Sequence, residues 1–380
     1  MMNMAPKVLI MAGGTGGHVF PALTIANELV ERGAQVEWLG TRQGLEARVI
    51  ANSGIPLHFI SVSGLRGKSR LRKVLAPFTI GWALLQALWR VWRIKPQCVL
   101  GMGGFVSGPG GVAARVLGKK LLLHEQNAVA GLTNQLLFPI ADVVMEAFPD
   151  AFARKQALGG PAFVNRRIDP SRTTVVGNPV RADILALAPP AERYAKRNGK
   201  LRLLVVGGSL GAVAINRLLP ALLASLPVDE RPQVCHQCGE GNLADTRRLY
   251  EAAGLVPGAQ LDVCAFINDM AEAYAWADLV LCRAGASTIA ELAAIGLPAL
   301  LVPYPAAVDD HQRENARVLE NAGAALVLRQ DELNVAALNA ALAAMGERPQ
   351  LLARAEAATR VAMRDATHQA AALCLEACDG

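Results

Sequence analysis

Val8-Leu9-Ile10-Met11-Ala12-Gly13-Gly14-Thr15-Gly16-Gly17-His18 decides the fold. An apolar run of strand length enters a glycine-rich turn, and a helical pattern follows at once. A turn of this kind leaves backbone N–H groups uncovered, and at the head of a helix it binds anions, usually phosphate. It ends on an ionisable residue, His18, which predicts phosphate recognition beside proton-transfer chemistry. The alternative is a tight turn with no ligand. Neither standard nucleotide fingerprint fits. Read from Gly14, the pattern G-x-G-x-x-G fails at Val19, and the G-x-x-x-x-G-K-[ST] loop lacks its Lys.

Outward from this unit, short β-branched runs alternate with amphipathic stretches, the mark of α/β architecture with parallel sheets. Pro21 and Gly33 are expected to frame the first helix, Pro near its start and Gly just past its end. Strands are predicted at 34–39, 57–62, 97–101, 120–124 and 142–146. Between 150 and 200 the pattern weakens among several Pro and Gly residues, which reads as an insertion plus an interdomain linker. Then it restarts. Leu201–Val206 is a strand, Gly207-Gly208-Ser209-Leu210-Gly211 a glycine turn, and Ala212–Leu226 a helix. Two doubly wound domains facing across a cleft are expected, with ligands at the carboxyl ends of the strands. A third turn, residues 101–111, holds six glycines in eleven positions, more than one turn needs. A second phosphate-facing loop is one reading, a wide strand-to-helix connection the other.

The chain of 380 residues is 52% hydrophobic and only 18% charged, with a mean hydropathy of +0.28. No apolar run reaches the length of a membrane span. Met1–Lys7 lacks the charged start and apolar core of a signal peptide, so a cytoplasmic protein is expected. Seven scattered cysteines suit reduced thiols. Cys235-His236-Gln237-Cys238 is the one C-x-x-C; without a second ligand pair it reads as chance composition rather than zinc or redox chemistry. The net charge of +6 suits phosphate-bearing partners.

That charge is concentrated. Arg66, Lys68, Arg70, Arg72 and Lys73 run into an apolar stretch with Leu75, Phe78, Ile80 and Trp82, and three of the five Trp fall within eleven positions, 82–92. Basic residues beside Trp, Phe and Leu have the composition of an interfacial membrane segment, each cation contributing about 1 kcal/mol at an anionic leaflet. A buried helix with a basic rim is the alternative, and both can hold. Nucleic acid is not expected, because no recognition motif or interleaved stacking aromatics are found.

Three polar clusters stand out, the first two after apolar strand-like runs and the third after Pro303 and Pro305. His124-Glu125-Gln126-Asn127 lies where a doubly wound sheet puts ligand contacts. Thr288-x-x-Glu291 opens a helix as a capping box, although a Glu there can also take ribose hydroxyls. Asp309-Asp310-His311-Gln312 opens another helix; with no second cluster, no metal is expected. No acidic residue ends the second strand, Trp38-Leu39-Gly40-Thr41, which argues against a nicotinamide site.

Together these motifs resemble the MurG family. They are Gly13–Pro21, Ser63-Gly64-Leu65-Arg66-Gly67-Lys68, the 101–111 turn, His124–Asn127, Gly177-Asn178-Pro179-Val180-Arg181 and Gly207-Gly208-Ser209, in consistent order from about residue 7 to 330. The resemblance implies a GT-B fold of two Rossmann-like doubly wound domains facing across a deep cleft. It implies an inverting transferase, without cofactor or catalytic metal, moving GlcNAc from UDP-GlcNAc to the muramoyl C4 hydroxyl of lipid I, giving lipid II and UDP. The implied place is the cytoplasmic face of the bacterial inner membrane, held peripherally to an anionic surface, among other proteins of cell-wall synthesis and division. Residues 1–180 with a returning helix 362–380 would hold lipid I, and 181–361 UDP-GlcNAc.

By position, the resemblance gives His18 as the general base. Donor contacts fall on Thr15, Gly16, Gly17, Asn127, Arg181, Ser209, Ile267, Gln312 and the run Ala286, Ser287, Thr288, Ile289, Ala290 and Glu291, with Glu291 on the ribose. Gly13, Gly14, Gly103, Gly104, Phe105 and Ser107 form the acceptor and pyrophosphate loops. This chain departs from the family at Leu210, where Gln is common, and at Phe105, where Tyr is common. A single displacement needs no carboxylate nucleophile, in keeping with the lack of a glycosidase-like carboxylate pair. Another GT-B enzyme acting on a UDP-sugar, or a non-catalytic nucleotide-binding scaffold, remains open at this point.

Overall fold

The computed structural model describes residues 5–62, 76–157, 168–208, 211–307 and 310–379. The chain divides into two compact units, Met1–Val180 with Arg364–Gly380, and Arg181–Met363. Arg66, Lys68, Arg70, Arg72, Lys73, Leu75, Ser209, Leu210 and Asp309, singled out in the sequence, lie outside the described residues, as do residues 158–167.

The first unit is built on β1 (Lys7–Met11), β2 (Gln35–Gly40), β3 (Leu57–Phe59), β4 (Cys98–Gly101), β5 (Lys120–Glu125), β6 (Val143–Glu146) and β7 (Thr173–Val175). The sheet order is β3-β2-β1-β4-β5-β6-β7, and every pairing is parallel. Alternation along β1 explains why both faces are covered. Val8, Ile10 and Ala12 pack with Val19, Ala22 and Ile25 of the helix Gly16–Glu31 and with Ala370, Ala371 and Cys374 of the helix Ala366–Asp379. Leu9 and Met11 pack on the other face with Ala87, Val91, Ala113 and Ala114.

The second unit has β8 (Arg202–Val206), β9 (Gln233–Gln237), β10 (Leu261–Cys264), β11 (Leu279–Cys282), β12 (Ala299–Leu301) and β13 (Ala325–Val327). Its sheet runs β10-β9-β8-β11-β12-β13, again wholly parallel. Leu203 and Val205 face Ile215, Leu219 and Leu222 of the helix Val213–Ser225. Both units thus reverse their strand order once, between β1 and β4 and between β8 and β11. In an open parallel sheet the ligand crevice lies outside the carboxyl ends at such a switch point.

Three expectations need correction. The stretch 150–200 is more than insertion and linker. It includes β7, which pairs with β6, and the short helices Ala151–Ala157, Ala182–Leu185 and Pro190–Ala195. Pro21 is the sixth residue of the first helix rather than near its start, because the glycine turn itself nucleates the helix at Gly16. Gly33 ends that helix with φ +85°. The Thr288–Glu291 capping box does not form. The helix Ala286–Ile295 starts earlier, on Gly285, with no side-chain cap, which frees Glu291 for other partners.

Asp278 is the polar anchor of the second unit. It is fully buried, accepts from Arg202 N at 3.0 Å, and pairs with Arg197 Nε at 3.0 Å and Arg348 Nη2 at 3.3 Å. Removing one member of a buried pair leaves its partner uncompensated. Asp278→Ala is therefore expected to destabilise the second unit by about 3–5 kcal/mol, read from urea denaturation.

Candidate active site

In the first unit the switch point is made by two glycine turns, one after β1 and one after β4. They meet backbone to backbone. A Cβ on Gly104, which has φ +77°, would stand 2.4 Å from the Gly13 carbonyl oxygen, and one on Gly103 would stand 3.1 Å from the His18 ring. The helices that leave these turns, Gly16–Glu31 and Gly104–Val116, carry no side-chain cap and no acidic residue in the first turn. Their leading N–H groups therefore keep their pull on an anion.

The Gly14 N–H is not part of that open set. It donates to Glu46 Oε2 at 3.1 Å, while Glu46 Oε1 accepts from Thr41 N and Thr41 Oγ1, each at 2.8 Å. Glu46 is fully buried, and its carboxyl group fills the space beside Gly13, Gly40 and Gly44. An acidic group does come to the end of β2, then, but it faces inward and stitches the turn. Sequence position hid it, since Glu46 belongs to the short helix Leu45–Val49. Ser107 is also committed to structure. Buried, its hydroxyl reaches Met11 O at 2.9 Å and Gly103 O at 2.6 Å, so it ties the two turns together rather than meeting a ligand.

His18 is oriented by a chain of polar groups. Gln126 Nε2 lies 3.0 Å from the His124 carbonyl oxygen and 3.1 Å from His124 Nδ1. A carbonyl only accepts, so this end of the Gln126 amide is the NH2, and Oε1 faces His18 Nδ1 at 2.8 Å. In the neutral ring this places the proton on Nδ1 and the lone pair on Nε2. His124 in turn donates from Nε2 to Gly177 O at 2.9 Å, and Asn178 Nδ2 holds Gln126 O at 2.8 Å. Burial pushes His124 down to about 4, which keeps it neutral as an acceptor for Gln126.

Glu125 shapes the loop that follows. Its Oε1 accepts from Asn127 N at 2.9 Å and Asn127 Nδ2 at 3.2 Å, and its Oε2 from Gly131 N at 3.0 Å and Asn134 Nδ2 at 2.9 Å. Beside the first turn opens a cavity of about 780 Å³, lined by Gly13, Gly14, Thr41, Arg42, Phe59, Gln86, Arg90 and Phe105 among others.

The helix Ala76–Ile94 near that cavity is two-faced. Ala83, Ala87, Val91 and Ile94 are buried, whereas Phe78 (76% exposed), Ile80, Trp82 (59%), Leu85, Trp89 and Trp92 (62%) stand in solvent. Arg90 and Arg93 stack on Trp89 at 4.6 and 5.3 Å. Among the described residues, no helix is long and apolar enough to cross a membrane.

In the second unit the switch-point turns follow β8 and β11. Gly208 N donates to Gln237 Oε1 at 3.0 Å, and Gly211, with φ +74°, passes so close to Cys238 O that a Cβ would stand 2.2 Å away. The helix Val213–Ser225 again begins without side-chain cap or acid. Arg181 and Glu291, far apart in sequence, come together with Nη2 and Oε1 3.9 Å apart, and Tyr274 OH donates to Glu291 Oε2 at 2.9 Å. Burial raises the Glu291 carboxyl, with Tyr274 and Arg181 drawing it the other way. Of the run 286–291, Ala286 and Ile289 are buried in the core, so only Ser287, Thr288, Ala290 and Glu291 offer any surface. Ile267 is half-buried in the loop after β10. Gln312, in the first turn of the helix His311–Asn321, accepts from Tyr304 N at 2.9 Å. Arg283 escaped the sequence reading; it donates to Val302 O at 3.0 Å and Gln330 Oε1 at 2.7 Å, and stacks on Tyr304.

Residues 8–146 match the N-terminal domain model of glycosyltransferase family 28, and residues 202–370 match its C-terminal domain model. A UDP-N-acetylglucosamine–N-acetylmuramyl-(pentapeptide) pyrophosphoryl-undecaprenol N-acetylglucosamine transferase of Marinobacter nauticus is 48% identical over 98% of both chains. The protein of that name from Pseudomonas fluorescens is 49% identical over 99% of this chain and all of its own. The crystal structure of Acinetobacter baumannii MurG superposes with a TM-score of 0.79 at 40% identity, over 98% of this chain and 99% of that one. The chain belongs to the MurG family. As a MurG-family glycosyltransferase it has the GT-B fold, and the glycine turns, the polar end of β5 and the Arg181–Glu291 pair are its strongest site candidates.

Two outcomes test this geometry. Gly104→Ala is expected to destabilise the first unit by about 1–3 kcal/mol through backbone strain. Gly108→Ala, in the same helix with only Thr133 Cγ2 at 3.8 Å, is expected to be neutral or to stabilise by about 0.5–1 kcal/mol. Denaturation midpoints compare the two. The second outcome concerns pH. The unfolded chain protonates His124 as pH falls below about 6.5, whereas the folded chain resists until about 4. The contribution of the neutral ring is thus full above about pH 6.5 and lost as pH falls through that window, at about 1.4 kcal/mol per unit. His124→Gln should flatten the pH dependence of stability between about 6.5 and 4 relative to the parent chain.

Proposed function

We infer that this chain transfers N-acetylglucosamine from UDP-GlcNAc to lipid I, giving lipid II and UDP in peptidoglycan synthesis. The observation that carries the mechanism is the His18–Gln126–His124 chain. It leaves Nε2 of His18 basic at the head of a helix, beside the turns where an acceptor diphosphate would sit. In this reading His18 Nε2 takes the proton from the muramoyl C4 hydroxyl as that oxygen attacks the anomeric carbon. The C1–O bond to the diphosphate breaks in the same displacement, so the anomeric centre inverts and UDP leaves with the bond electrons.

The first unit, 1–180 with the returning helix, is assigned the acceptor, with the cavity beside Gly13 and Gly14 taking part of its head group. The second unit is assigned UDP-GlcNAc. The uncapped helix Val213–Ser225 and Arg181 would stabilise the negative charge that builds on the leaving diphosphate, with Glu291 on the ribose hydroxyls and Ile267 on the base. Thr15, Gly16, Gly17, Asn127, Ser287, Thr288 and Gln312 complete the proposed donor set, with Ser209 from outside the described residues. The aromatic ridge of Ala76–Ile94, continuous in sequence with the basic run 66–73, is assigned to an anionic membrane surface. Its position would hold the enzyme peripherally at the cytoplasmic face, where its acceptor is anchored.

UDP release from UDP-GlcNAc, measured with and without a lipid I analogue, tests the activity; release that does not depend on the analogue would overturn it. His18→Ala is expected to lower kcat by about 10²–10⁴-fold while UDP-GlcNAc still binds, and a near-normal rate would remove His18 from the mechanism. Trp82→Asp with Phe78→Asp should leave turnover on a water-soluble acceptor unchanged and weaken sedimentation with anionic vesicles.

A further inference from the structure

The C-x-x-C of β9 does not act as a pair. Alternation sends His236 and Cys238 into the core, where His236 meets Tyr250 OH at 2.9 Å and Asn216 Oδ1 at 3.0 Å and Cys238 Sγ lies 3.3 Å from Cys264 O. Cys235 points to the opposite face. There it meets different company. In the parallel register Cys235 lies opposite Asp262, and Cys264 follows two residues along on β10, so all three side chains share one face. Their ligand atoms, two sulfurs and a carboxylate oxygen, lie within 4.8 Å of one another. β10 is the edge strand. Asp262 is exposed and both cysteines are half-buried, so an ion can enter from solvent.

We propose that Cys235, Asp262 and Cys264 form a binding site for a thiophilic divalent cation of the Zn2+ class, with water completing a tetrahedral shell. Two thiolates and one carboxylate are a soft donor set that selects zinc over magnesium or calcium. Zinc–sulfur bonds near 2.3 Å and zinc–oxygen bonds near 2.0 Å require the three atoms to close by only a small side-chain adjustment. Binding would release the thiol protons to solvent and change no oxidation state.

The site does not belong to the transfer chemistry, and it stands whether or not the reading of His18 does. It adjoins the second unit's glycine turn all the same. Gln237, two residues beyond Cys235, holds Gly208 through Oε1 and Ala265 O through Nε2 at 2.9 Å. A cation clamping β9 to β10 would stiffen the strand end from which the Ala265–Asp269 loop leaves.

The test uses the full chain, reduced and stripped of metal, titrated with Co2+ and then Zn2+ against a chromophoric chelator. One equivalent is expected, with a sulfur-to-cobalt charge-transfer band. Loss of even an outer-shell partner weakens metal sites by about 10–100-fold. Cys235→Ser and Cys264→Ser should each therefore weaken binding at least that much. Cys238→Ser should bind like the parent chain. Asp262→Asn, exposed and safe for folding, should weaken affinity at least about tenfold and keep the charge-transfer band. No band in the parent chain, or parent-like binding in both Cys235→Ser and Cys264→Ser, would overturn the proposal.

Discussion

The first unit depends on one close approach, the passage of Gly104 against the carbonyl of Gly13. Two strands that run in the same direction deliver two turns to the same edge, and only residues without a Cβ can share that space. Glu46 closes the arrangement from behind, bonding Gly14 on one side and Thr41 on the other. These donors satisfy the Glu46 carboxylate, which is fully buried and would otherwise be stranded away from water. With the turns locked, His18 has a fixed base on which Gln126 can set its ring.

Much of the fold could be read before any coordinates. The paired strand–turn–helix units at Val8–Glu31 and Leu201–Ser225 announce two parallel α/β sheets, because glycine turns after β-branched runs have few other uses. β7 could not be read in this way. It is three residues long, with half-exposed and polar positions, so no apolar alternation marks it; it is a strand because β6 offers it a ladder. The helix starting on Gly285 was misjudged for a related reason. Thr288 and Glu291 have the spacing of a local cap, but Tyr274 and Arg181 provide tertiary partners for Glu291.

The candidate site divides along the same line. Gly13 to His18, Gly103 and Gly104 are legible because their chemistry is local. Glu46, Ser107 and Arg283 are not, because each does its work across the sheet, on a partner that only the strand order brings near. The cysteines make the point in another way: the C-x-x-C read as chance composition, the pleat separates Cys235 from Cys238, and the strand register brings Cys264 beside Cys235 instead.

The helix Ala366–Asp379 has a consequence for the order of events at the ribosome. It supplies Ala370, Ala371 and Cys374 to a core that also contains Val8 and Ile10, and Cys98 Sγ reaches Cys374 O at 3.3 Å. The first half of the chain to be synthesised therefore waits, with one face of its sheet partly bare, until the helix Ala366–Asp379 has been made. The second unit, contiguous from Arg181 to Met363, closes its own core first. Nascent chains stalled before residue 366 would present that apolar sheet face to chaperones, so the vulnerable period of this protein's life is set by translation speed through its own second half.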